Sequence, residues 1–197
     1  MKITLFSFLV FVLLASCTKD TSNNINAQLP AETQTGANTF GVTINGKVYI
    51  LRDPTGSGFG GSSGHGVILW GIENNSWQEL EIVDGASAMG FQINIHMQPI
   101  AFVGKVILHQ SNFHGRVDST PFSHIFFEIW DSTINNYATY GSIENQGGLN
   151  ITRHSNGIIS GNFKGKFARY NSPNDIIEIT DGRFDFNTIT LSSHVFP

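Results

Sequence analysis

IISGNFKGKFARY, Ile158 to Tyr170, decides the fold class. Successive side chains of an extended strand point to opposite faces, so Ile159, Phe163 and Phe167 fall on one side and Asn162, Lys164 and Lys166 on the other. A period of two, sustained over the whole stretch, describes a strand with one dry face and one wet face. Gly161 and Gly165 share the phenylalanine face and leave room there, as at a bend or where another backbone comes close.

The same pattern continues in both directions. In FGVTINGKVYIL (Phe40 to Leu51), Asn45-Gly46 separates two β-rich runs, the signature of a type I′ hairpin whose central residues need positive φ. Further strands are expected at Val67 to Ile72, Glu79 to Val83, Phe91 to Met97, Phe102 to Leu108, His124 to Trp130 and Gly148 to His154. Ile176 to Thr180 and Arg183 to Phe186 complete the set, with Asp181-Gly182 between them reading as a turn. No helical spacing persists for three turns and no repeat of fixed period emerges. The expected architecture is all-β: a single antiparallel β-sandwich or barrel-like domain over residues 40–197.

The N-terminus reads differently. MKITLFSFLVFVLLASC has one basic residue, Lys2, then an apolar run from Ile3 to Leu14, then small residues, which are the three regions of a secretory signal. That run is shorter than the ~20 residues a spanning helix needs. Leu14-Ala15-Ser16-Cys17 resembles the lipobox of bacterial lipoproteins, so residues 1–16 are expected to be removed and Cys17 to be acylated. Several acyl chains would attach the chain stably to the membrane, at about 0.8 kcal/mol per buried methylene. Cys17 is the only cysteine, which excludes a disulfide within the chain and leaves no thiol for catalysis. Residues 17–39, the lipidated cysteine and TKDTSNNINAQLPAETQTGANT, have almost no large apolar side chains and are expected to form a flexible tether.

Composition narrows the partners. Without Lys2 the chain has 10 basic and 15 acidic residues, a net charge of −5, and no basic block that could follow a phosphate backbone, so nucleic acid is not expected. Charged residues are 13% of the chain against a usual ~25%, which gives a neutral, hydrogen-bonding surface.

Few stretches resemble chemistry. GSGFGGSSGHG (Gly56 to Gly66) matches G-x-G-x-x-G at Gly56 to Gly61 and G-x-S-x-G at Gly60 to Gly64. The first pattern needs a helix whose N-terminus faces a pyrophosphate, and the second needs Ser62 on a strand-to-helix turn. A strand follows instead, so the run is expected to be a connection between strands. His109 and His114 are close in sequence, but the His-x-His spacing of zinc sites on β scaffolds is absent, and no metal or other cofactor is expected. Asp175, Glu178, Asp181 and Asp185 cluster near the C-terminus, with Arg183 available to pair with Asp185 or another acid nearby. Nothing there marks a carboxyl of raised pKa, and no catalytic residue is assigned.

HIFFEIW is the candidate binding surface. Ile125, Phe127 and Ile129 form a core face, while His124, Phe126, Glu128 and Trp130 form the other, where rings beside a carboxylate could hold a sugar by stacking and hydrogen bonding. The plainer alternative is that a second layer covers these rings.

Three passages, LPAETQTGANTFGVTINGK (Leu29 to Lys47), GLNITRHSNGIISGNF (Gly148 to Phe163) and IEITDGRFDF (Ile177 to Phe186), resemble a family of uncharacterised Bacteroidota lipoproteins. In that family a lipobox and a short tether precede a β-rich domain. The family pattern has a cysteine where this chain has Val42 and an aspartate where it has Ser155, and the resemblance is poor from Arg52 to Gln146. It implies an address and a fold and transfers no catalytic residue. The expectation is therefore a lipoprotein anchored at the outer membrane through Cys17, on the cell surface or the periplasmic face. It would bind a glycan or an envelope protein without being an enzyme. The alternatives are a glycan hydrolase using carboxylates such as Glu128 and Asp185, and a structural envelope protein.

Overall fold

The structure, a computed structural model, describes residues 27–53, 66–71, 77–86, 90–99, 102–115 and 121–197. The strands, in chain order, are β1 (Thr39–Ile44), β2 (Lys47–Ile50), β3 (Val67–Trp70), β4 (Gln78–Val83), β5 (Phe91–Met97), β6 (Gly104–Ile107), β7 (His124–Asp131), β8 (Asn136–Ser155), β9 (Ile158–Arg169) and β10 (Ser172–Asn187). They form one antiparallel sheet in the order β2-β1-β10-β9-β8-β7-β5-β4-β3, with β6 beside β8, and the sheet curls into a half-barrel. The all-β, barrel-like expectation holds.

Local chemistry explains the hairpins. Asn45 and Gly46 have φ of 45° and 80°, and Asn156 and Gly157 have φ of 53° and 72°, so both tight turns use Asn-Gly in the left-handed region as a type I′ turn requires. The apolar parity runs across the sheet: Val67, Ile82, Ile93, Phe127 and Tyr140 are successive cross-strand partners, all buried on the inner side. Curling lets the two halves share this core. Phe40 of β1 packs on Phe91 of β5 at 5.9 Å between ring centroids, and Tyr49 of β2 meets the same ring edge-on at 5.8 Å. Arg52, just after β2, grips the buried carboxylate of Asp84, just after β4, with Nε at 3.2 Å and Nη2 at 2.6 Å.

The residues Ile176 to Phe186 differ from expectation. They belong to one strand, β10, and Asp181-Gly182 is no turn: the pairing with β9 shifts between Ile179 and Gly182 and then resumes. The one added residue forms a bulge, which lets the strand bend with the curl. Gly182 has a steric reason to be glycine, since a Cβ there would stand 2.3 Å from the ring of Phe163. Gly165 marks the close approach its sequence context suggests, with a Cβ position only 2.6 Å from the Cα of Gly147.

The expected tether also needs correction over its last part. From Leu29 to Ala37 the chain lies as a strap across the outer face of β1, β10 and β9. Pro30 and Leu29 pack where a side chain on Gly41 would be, and Arg183 donates from Nη1 to the Pro30 carbonyl at 3.0 Å. Asn162 donates to Glu32, and Arg153 to the carbonyl of Gln34. Low hydrophobicity, which suggested a free tether, reflects a segment docked by hydrogen bonds. Residues 1–26, with the signal segment and Cys17, lie outside the described residues.

Candidate functional site

Asp185 is the hub of the strap. Its carboxylate accepts from the hydroxyls of Ser160 (2.6 Å), Thr33 and Thr35, and from the backbone N–H groups of Thr35 (3.0 Å), Gly36 (2.8 Å) and Ala37 (3.2 Å). Burial pushes its pKa up, but the hydroxyls of Ser160 and Thr33 and the amides of Ala37 and Gly36 outweigh this and hold it at about 2. A carboxylate so saturated is a structural clasp, and it is 1% exposed. It also stands far from Glu128. Counting along β9 from Arg169, which pairs with the neighbour of Thr139, to Ser160, which pairs with Asp185, nine residues or roughly 30 Å of strand separate the levels of the two acids. Glycoside hydrolysis needs carboxyls within about 10 Å, so this pair cannot perform it.

The remaining acids of the cluster are also accounted for. Asp175 sits 3.1 Å from Arg169, Asp181 pairs with Arg183 at 3.3 Å, and Glu178 is exposed. His109 bonds Glu144 at 3.0 Å and tilts against Phe122, while His114 is exposed. Among the described residues, no three His, Cys, Asp or Glu side chains are placed to share a metal ion. The glycine-rich stretch from Gly56 falls almost wholly at 54–65, outside the described residues.

The candidate face on β7 divides in two. His124 and Phe126 are buried under the chain that follows β6, so these two cannot belong to an open binding surface. That chain continues along the edge of β8, with Leu108 N–H donating to Gly147 and Ser111 N–H to Ser142. At Gly141 the edge is already taken by Phe126 of β7, so residues 111–115 pass over the outer face instead. The aromatic ring of Phe113 rests where a Gly141 Cβ would come within 2.6 Å, and Phe113 has φ of 62°. That conformation is costly for a bulky residue, by about 1–3 kcal/mol.

Under and beside this cover runs a polar ladder that sequence reading missed. Trp70 Nε1 donates to Glu81 (2.7 Å), Gln92 donates to Glu81 and Asn94, Asn94 donates to Glu79 (2.9 Å), and Glu79 lies 3.4 Å from His96 Nδ1. The rings of Trp77, His96, His124 and Phe126 then stack in sequence, with centroid spacings of 5.3, 4.9 and 6.2 Å. Ser111 Oγ is 3.2 Å from His124 Nδ1. Serine, imidazole and carboxylate are thus present together, but the two imidazoles meet as a ring stack, which carries no proton, and Ser111 is buried. The arrangement is no nucleophilic triad. The alternation of Gln92, Asn94 and His96 was legible in the sequence; the layer that buries Asn94 and His96 was not.

The other half of the β7 face is open. Glu128 is exposed, and Thr139 donates to it at 3.5 Å. Trp130, half-buried, meets Tyr137 edge-on at 5.4 Å and 84°. Beside Thr139, whose carbonyl accepts the Tyr170 N–H, Tyr170 is 60% exposed and meets Phe113 edge-on at 4.9 Å and 69°. Trp130 and Tyr137 form one row across the strands; Glu128, Thr139 and Tyr170 form the next, about 7 Å along them. Two aromatic pairs therefore frame a carboxylate on one outer surface. Tyr137, Tyr170 and Phe113 could not be assigned from sequence, because pairing across three strands and a loop brings them to Trp130.

No protein-family model matches this chain, and neither a curated protein nor a solved structure is similar to it. Among the described residues, no helix is long and apolar enough to cross a membrane.

Proposed function

We propose that this chain is a lipoprotein of the outer membrane, held by acyl chains on Cys17, whose β domain binds a glycan through the surface of Trp130, Tyr137, Glu128, Thr139, Tyr170 and Phe113. The observation that carries the reading is the pair of outward aromatic clusters flanking Glu128. Large rings left on a surface where the fold has ample core to receive them are suited to stacking on the apolar faces of sugar rings, with Glu128 and Thr139 supplying hydrogen bonds. The anchor rests on the apolar run from Ile3 to Leu14 and the lipobox-like Leu14 to Cys17. Membership of the Bacteroidota lipoprotein family belongs to the same proposal. Because the glycan cleft of a hydrolase would need two nearby carboxyls and Asp185 is committed to the strap, binding without turnover is the favoured activity.

Native gel electrophoresis through polysaccharide tests this. Retardation of the wild type, lost in Trp130→Ala and Tyr170→Ala with unchanged circular dichroism, is the expected outcome. Retardation untouched by either substitution would place the glycan elsewhere. No retardation in any polysaccharide would leave an envelope protein or a structural role as the function. Labelling with an alkyne fatty acid should mark the wild type and leave Cys17→Ser unlabelled.

A further inference from the structure

We infer that residues 29–37 are a mechanical latch between the membrane anchor and the sheet: under load they release about 30 Å of chain while the β domain stays folded. The part this plays in the cell rests on the Cys17 anchor proposed above; the latch itself rests on the geometry of the strap. Among the described residues, 29–37 join no strand ladder, and none of them is fully buried. Leu29 and Pro30 are held against Gly41, the Pro30 carbonyl by Arg183, Glu32 by Asn162 and the Gln34 carbonyl by Arg153. Asp185 takes the remaining bonds, from Thr33, Thr35, Gly36 and Ala37.

The order of release is built into the path. Pro30 lies over Gly41 and Arg183, whereas Gly36 lies at the end of the β9–β10 ladder where Ile158 pairs with Asn187. The strap therefore doubles back over β1 and reverses at Gly36 and Asn38, whose φ values of 74° and 54° are left-handed. A pull from the N-terminal side meets the contacts of Leu29 and Pro30 first, then Glu32, then the Asp185 bonds, a few at a time. Asn38 is the stop. It is 5% exposed, its Nδ2 donates to Thr190 Oγ1 at 3.1 Å, and its Oδ1 accepts from the Asn187 N–H at 2.8 Å. Beyond it, β1 is paired with β10 on one side and β2 on the other and buries Phe40, Val42 and Ile44, so further extension must break these together. Lightly packed segments open before such a core. Cys17 stands twelve residues before Leu29, a span of at most about 40 Å, and the latch lengthens this reach to about 70 Å. Because Ser160 and Asp185 stay in place on the folded sheet, the short strap redocks when the load falls.

Optical-trap extension tests this on the chain from Cys17 to Pro197, made without its signal segment so that the sole cysteine, unacylated, takes one handle and a C-terminal tag the other. The expected record is a first, reversible step at low force that releases about 30 Å of contour, followed at higher force by unfolding of the domain. Asp185→Asn should lower the force of the first step by about half or more. Thr33→Val, which removes one hydroxyl from the clasp and leaves the sheet untouched, should lower it less. With the handle moved to Gln34→Cys in a Cys17→Ser chain, the step should shrink to less than about half its length. Release of strap and sheet in a single step, or a first step whose force is the same in the wild type and both clasp variants, would overturn the latch. Fatty-acid labelling of Cys17 decides the anchor separately, because the trap record does not depend on it.

Discussion

Ser160 and Asp185 are cross-strand neighbours on β9 and β10, and the serine hydroxyl donates to the carboxylate at 2.6 Å. The remaining donors to that carboxylate come from residues 33–37, so one acid fixes the strap to the sheet. Asp185→Asn would turn an acceptor into an amide N–H facing other donors. It should destabilise the domain by about 2–4 kcal/mol and expose the strap to protease before the sheet unfolds. Urea denaturation and limited proteolysis check both effects.

Acid should release the clasp. Asp185 has its pKa lowered from 3.8 to about 2, so its contribution is complete above about pH 4 and disappears as the pH falls through 2. The melting temperature of the wild type should fall more steeply over that interval than that of Asp185→Asn, which has no carboxylate to protonate. Parallel curves for the two proteins would show that another group sets the acid limit.

The bulge of β10 makes a separate prediction. Gly182→Ala would drive a methyl group into the Phe163 ring, so it should cost about 1–3 kcal/mol or more, and Phe163→Leu in the same chain should recover part of the loss. Thermal denaturation of the two single variants and the double variant measures the coupling.

How far the sequence could be read follows from where each signal is stored. Period-two alternation in Ile158 to Tyr170 and the Asn45-Gly46 turn are local signals, and both reappear as β9 and the β1–β2 hairpin. The first half of β8, NYATYGSIENQG, is polar and rich in turn formers. It is extended because β7 and β9 pair with its first residues and residues 108–111 bond its bulge, a tertiary effect with no local trace. Asp181-Gly182 has turn chemistry, yet the continuous neighbour β9 holds it in the sheet.

The candidate face was half legible for the same reason. Alternation on β7 correctly separated His124, Phe126, Glu128 and Trp130 from Ile125, Phe127 and Ile129. What covers His124 and Phe126 is a chain segment displaced by strand competition at Gly141, and what joins Trp130 is carried on β8, on the residue after β9 and on the covering loop. Strand-by-strand periodicity holds no information about either.

The central claim is that a glycan lies across the outer face of β7, β8 and the end of β9. It is tested most directly by recording the amide and aromatic spectra of isotopically labelled protein by NMR while titrating an oligosaccharide cut from a polysaccharide that retards it. The account predicts the largest shifts at Phe113, Glu128, Trp130, Tyr137, Thr139 and Tyr170, with Thr33 to Ala37 and Asp185 undisturbed. Shifts concentrated at the strap, with the aromatic face silent, would contradict it.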